Sequence, residues 1–134
     1  MRYVAFIHKD PGSVYGVSFP DFPGCISAGD TADEAVEQAA EALSGHVAMM
    51  AADGDAIPAP RSLEEILADP AIEEEREGAS FAFVPLIREQ GAKVPVNISL
   101  DAGLLESIDE AARKRGITRS AFLASAARKE IVAA

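Results

Sequence analysis

Residues 93–128 read KVPVNISLDAGLLESIDEAARKRGITRSAFLASAAR, and their grammar decides the organisation of the chain. Over 93–100 apolar and polar residues alternate strictly. Val94, Val96, Ile98 and Leu100 point one way, and Lys93, Pro95, Asn97 and Ser99 the other, the period-two pattern of a half-buried strand. Asp101 can cap a helix running to about Arg115, with Leu104, Leu105, Ile108, Ala111 and Ala112 on its inner side. Gly116 suits the left-handed position after a helix end. Thr118 can cap a last helix whose apolar residues are Phe122, Leu123, Ala126, Ala127 and Ile131. One strand and two helices cannot bury their apolar faces alone; a unit of this size needs a metal, a disulfide or a partner. Cys25 is the only cysteine, which removes an internal disulfide and any zinc site built on two cysteines of one chain. A second copy remains. Two 93–100 strands would pair antiparallel over four helices, and Lys93, Asn97 and Ser99 would appear twice on one polar face.

This stretch resembles a ribbon-helix-helix module, in which a paired ribbon lies in the major groove of DNA. The resemblance implies base-reading roles for Lys93, Asn97 and Ser99. Asn matches the donor–acceptor pattern of adenine and Lys that of guanine, whereas Pro95 brings no hydrogen-bonding side chain to that face. It also implies a DNA phosphate seated on Thr118, Arg119 and Ser120. Free amides, a helix dipole and two hydroxyls make an anion site there on physical grounds as well.

Outward from this tail the charge changes sign. Residues 93–134 hold 7 Lys+Arg and 5 Asp+Glu, a balance of +2, whereas residues 1–92 hold 5 Lys+Arg and 17 Asp+Glu, a balance of −12. Such asymmetry suggests two tasks and two partners. An acidic front repels phosphate, so nucleic acid should be met by the tail alone.

The front half reads as α+β. Strands are expected at 1–8, 14–19 and 25–28, the first two joined by the turn formers Lys9–Ser13 and the last two by Pro20-Asp21-Phe22-Pro23-Gly24. Thr31 to Glu34 (TADE) matches a capping box and opens a helix to about Gly54, with Val36, Ala40, Leu43, Val47 and Met50 as its apolar stripe. A Pro-rich connector (55–61) precedes a second capping box, Ser62 to Glu65, and a short helix stopping before Pro70. Residues 71–79 read as an exposed acidic run. A fourth strand is expected at 80–87, placed at an edge by Pro85, which has no ladder donor. The division is 1–88, a linker at 89–92, and 93–134.

The run VSFPDFPGCISAGDTADEAVEQAAEAL, above all PDFPGC followed by GDT-x-x-EA, resembles the HicB family of antitoxins. With the tail, the resemblance covers nearly the whole chain. It implies a degenerate, partial RNase H fold (βββα(α)β) carrying a ribbon-helix-helix tail. It further implies an antitoxin that neutralises a HicA-type mRNA-cleaving toxin and represses its own operon as a dimer, with pairing of dimers into tetramers left open. The expected partners are operator DNA, the toxin and a second copy, with no cofactor and no membrane. A ligand-sensing repressor without a toxin is the alternative.

The remaining candidates have simpler readings. RNase H chemistry needs carboxylates converging on two metal ions, and Asp10, Asp21, Asp30 and Asp33 show no such clustering in sequence; Asp10 and Asp21 sit beside proline in turns. His8, Cys25 and His46 lack metal-ligand spacing, and Cys25 reads as a small buried hydrophobe. Met49-Met50 reads as helix packing and Glu73-Glu74-Glu75 as a solvated run. No stretch approaches the roughly 20 apolar residues of a membrane span, and a cytoplasmic protein is expected.

Overall fold

In the computed structural model, which describes residues 1–134, the chain forms two compact units, Met1–Gln90 and Gly91–Ala134. The first is built on four strands, β1 (Arg2–Lys9), β2 (Tyr15–Ser18), β3 (Ile26–Gly29) and β4 (Ser80–Pro85), in the antiparallel order β3-β2-β1-β4. Their limits fall within two residues of the expected strands, because ladder ends fray.

The central strand is buried on both faces: Tyr3, Val4, Ala5 and Phe6 are at most 1% exposed. One face meets the helix α1 (Ala32–Ala52), where Tyr3 packs edge-on to Phe22 at 4.7 Å and Phe22 in turn to His46. The other face is covered at Val4 and Phe6 by Ile66 of the short helix α2 (Leu63–Leu67), with Leu63, Ile72 and Ala79 alongside. This second covering layer goes beyond what the strand pattern alone indicates. It arises because the 71–79 run is not plain coil: Pro70–Ile72 form a 3₁₀ turn capped by Asp69, and Glu73–Arg76 form a short helix, α3.

The α1 stripe is also rotated from the expected one. Ala35, Ala39, Ala40, Leu43 and Val47 are buried, Val36 and Met50 are half-buried, and Met49 is 69% exposed. Small residues win the inner face because α1 begins hard against β3. A Cβ on Gly29 would overlap the Ala35 amide nitrogen and lie 2.8 Å from its Cα, so only glycine permits this approach. Thr31 caps α1 as expected, accepting from the Glu34 amide (3.1 Å), but the Glu34 carboxylate receives the Asp30 amide rather than that of Thr31. The second box, Ser62 with Glu65, closes in both directions.

β4 lies at the sheet edge, where Pro85 is tolerated. Leu86 donates to the Met1 carbonyl (2.9 Å), which sets the ladder phase. Phe81, Phe83 and Pro85 therefore turn their backbone polar positions away from β1. The connector after α1 is tied down by the Tyr3 hydroxyl, which donates to the Pro58 carbonyl at 2.6 Å. Burial, with help from Asp21, pushes the Tyr3 phenol above its ordinary value, so it stays a donor.

The second unit contains α4 (Ala102–Lys114) and α5 (Arg119–Ala133). Asp101 caps α4 by accepting from the Gly103 and Leu104 amides. Gly116, at φ +66°, ends it in a Schellman motif, with Gly116 donating to Arg113 and Ile117 to Ala112. The strand expected at 93–100 does not form within the chain: residues 91–101 carry no ladder. A strand exists only with a partner, and the chain offers this segment none.

Candidate functional site

The unpaired 93–100 segment presents its apolar set to solvent. Val94 is 78% exposed, Val96 79%, Ile98 60% and Leu100 37%. In the same unit Leu104 and Ile131 are also exposed, and only Ile108 and Ala112 are buried. So many aliphatic side chains around so small a core mark an incomplete unit. Lys93, Asn97 and Ser99 are exposed in the same segment.

Thr118, Arg119 and Ser120, the residues expected to meet a phosphate, lie at the start of α5. The Thr118 side chain accepts from the Ala121 amide (3.1 Å), and Phe122 donates to the Thr118 carbonyl. The Arg119 and Ser120 amides are left as the first donors of the helix. Arg119 itself is engaged. Its Nε and Nη2 donate to the two carboxylate oxygens of Asp109 at 2.8 and 2.7 Å, a bidentate pair tying α5 to α4. The guanidinium holds the Asp109 carboxyl below its ordinary range. Nη1 and one Nη2 hydrogen remain available to a second acceptor. Nothing in the local sequence signals this tie, because Asp109 and Arg119 belong to different helices separated by the Gly116 turn.

In the first unit the four carboxylates singled out from the sequence do not converge. Asp10 lies in the β1–β2 turn, and Asp30 and Asp33 are exposed around the start of α1. Asp21 is structural. Its side chain, 3% exposed, accepts from Arg61 Nε (2.6 Å) and from the Arg61 amide (3.2 Å), while Arg61 Nη1 reaches Asp69 at 2.9 Å. This triad fastens the turn before β3 to the connector and to the 3₁₀ turn. The amide of Ala71, then Arg61, hold the Asp69 carboxyl low. No three His, Cys, Asp or Glu residues are grouped so as to hold a metal ion. Cys25 is buried, and desolvation raises its thiol pKa. No helix is long and apolar enough to cross a membrane.

The chain has relatives among known proteins. A model of the HicB-like antitoxin of bacterial toxin–antitoxin systems matches residues 3–127. An uncharacterised 14.9 kDa protein from the rep–hol intergenic region of Haemophilus phage HP1 is 34% identical over 90% of both chains. The crystal structure of the Burkholderia pseudomallei antitoxin HicB is 37% identical, covers 96% of each chain and superposes with a TM-score of 0.58. A chain of the HicA3 and HicB3 toxin–antitoxin complex is 31% identical over 65% of this chain and 99% of its own, with a TM-score of 0.53. The four-stranded sheet with its helices, followed by a helical tail, is therefore that of the HicB-like antitoxin family of bacterial toxin–antitoxin systems, to which this chain belongs and whose role is regulatory rather than enzymatic.

Proposed function

We propose that the chain neutralises a HicA-type mRNA-cleaving toxin through its first unit and represses its own operon through its second. The observation that carries the DNA half is the row Val94, Val96, Ile98 and Leu100, exposed in a segment that has no ladder partner. Two such segments paired antiparallel bury these side chains against α4 and α5 of both copies, forming a ribbon-helix-helix dimer. The opposite face then carries two sets of Lys93, Asn97 and Ser99 into the major groove. Thr118, Arg119 and Ser120 seat a flanking phosphate, with Arg119 anchored from behind by Asp109.

The toxin half rests on family membership and charge. A protein that cuts mRNA must grip phosphates with cations, and a front with 17 Asp+Glu against 5 Lys+Arg suits such a partner. We read the first unit as a degenerate, partial RNase H scaffold kept for binding, since Asp10, Asp21, Asp30 and Asp33 do not meet.

Sedimentation and a gel shift on the chain's own promoter test the DNA reading. Wild type should be dimeric and bind; Val96→Asp should be monomeric and silent, with unit 1 still folded. A Val96→Asp variant that dimerises and binds like wild type sinks the ribbon. Copurification with the co-expressed toxin tests the other half.

A further inference from the structure

Among the phenylalanines of the first unit, Phe6, Phe19 and Phe22 are at most 2% exposed, but Phe81 and Phe83 of β4 are 45% and 52% exposed. The pair stands on one face of the sheet, two residues apart, on the side that α2 covers at Val4 and Phe6. Phe81 leans on the buried Phe6 ring at 6.2 Å, so it has a rigid backing. Beside it lies an open depression of about 460 Å³ lined by Leu67, Glu73, Arg76, Glu77, Ala79 and Phe81. Its charged wall is Glu73, Glu77 and Arg76, the last 4.0 Å from Glu73, and its apolar wall is Leu67, Ala79 and Phe81. The result is a pair of aromatic anchors beside a hollow with room for more than one side chain, in which two carboxylates outnumber one guanidinium.

The edge of β4 is itself poorly suited to strand addition. Pro85 has no amide hydrogen to offer outward, and the outward Phe83 carbonyl already accepts from Arg2 Nη1 at 3.1 Å. These are devices that blunt a sheet edge. They disfavour a partner that adds a strand, a second copy of β4 included. Two copies of a strongly acidic unit also repel. The occupant that fits is a cationic protein docking side chain to face, an Arg or Lys in the hollow and an apolar segment over Phe81 and Phe83.

We propose that this β4–α3 face is where the toxin docks, which rests on the antitoxin reading above and assigns its contact surface. The test uses the full-length chain and the toxin co-expressed with it. Phe83→Ser and the charge-reversed Glu73→Arg/Glu77→Arg should each weaken toxin binding about thirtyfold or more. Thermal melts should stay at wild type, since these side chains are exposed. Ile26→Ser on β3, 71% exposed at the opposite edge, should bind as wild type does. If wild type itself fails to bind the toxin, the antitoxin reading falls. If wild type binds and the Phe83 and Glu73/Glu77 variants bind equally well, only this assignment falls. A variant whose sedimentation coefficient changes while toxin affinity holds makes the face a contact between copies and overturns the proposal.

Discussion

Asn97 carries a donor and an acceptor on one planar carboxamide, the arrangement that pairs in two places with adenine. Asn97→Ala should therefore cost about 1–3 kcal/mol of discrimination, read as the affinity ratio between operator and scrambled DNA. In its proposed role Arg119 meets phosphate, which carries no sequence information. Arg119→Ala should weaken binding to every duplex alike and reduce the slope of log affinity against log salt by about one; a loss confined to the operator would contradict that role. Asp109, the residue behind Arg119, is a depressed carboxylate. Its contribution is complete above the ordinary Asp value near 3.9 and is lost only as pH falls through its lower folded value. The α4–α5 tie should thus outlast mild acid, and a carboxyl-carbon NMR titration should place the Asp109 midpoint below that of a model peptide.

At the level of elements, the junction of β3 with α1 is the most exacting. The atoms a Gly29→Ala methyl would strike are backbone, which cannot rotate away. The substitution should destabilise the first unit by about 1–3 kcal/mol, seen as a lowered thermal midpoint by circular dichroism. Element positions were legible because their signals are local: Thr31, Ser62, Asp101 and Thr118 all cap the helices they were expected to cap. The inner face of α1 was not legible. Large side chains dominate a periodicity count, whereas a helix starting against Gly29 selects alanines. The same limit hid the sheet's second covering layer, which depends on Ile66 and Ile72 meeting Val4 and Phe6 from far along the chain. Of the candidate site, the polar alternation of Lys93, Asn97 and Ser99 could be read directly. The engagement of Arg119 by Asp109 and of Asp21 by Arg61 could not, since ion pairs between separate elements leave no spacing rule.

Across the whole molecule the two units have opposite charge and different degrees of completion. The first closes its own core on both sheet faces, whereas the second buries only Ile108 and Ala112. Removing residues 93–134 should abolish promoter binding in a gel shift while leaving toxin association in a pull-down at least partly intact. Loss of toxin association with a first unit that still melts cooperatively would show that the labour is not divided this way.

Cys25 has a use that follows from its solitude and its depth. A thiol reacts as thiolate, and burial both hides this sulfur and keeps it protonated. With no second sulfhydryl in the chain, a maleimide pulse followed by mass spectrometry clocks how often the front half opens, blind to whatever the tail is doing. Transient opening is also what proteases exploit. The labelling rate with and without a bound partner would therefore measure how far that partner shields the chain from turnover.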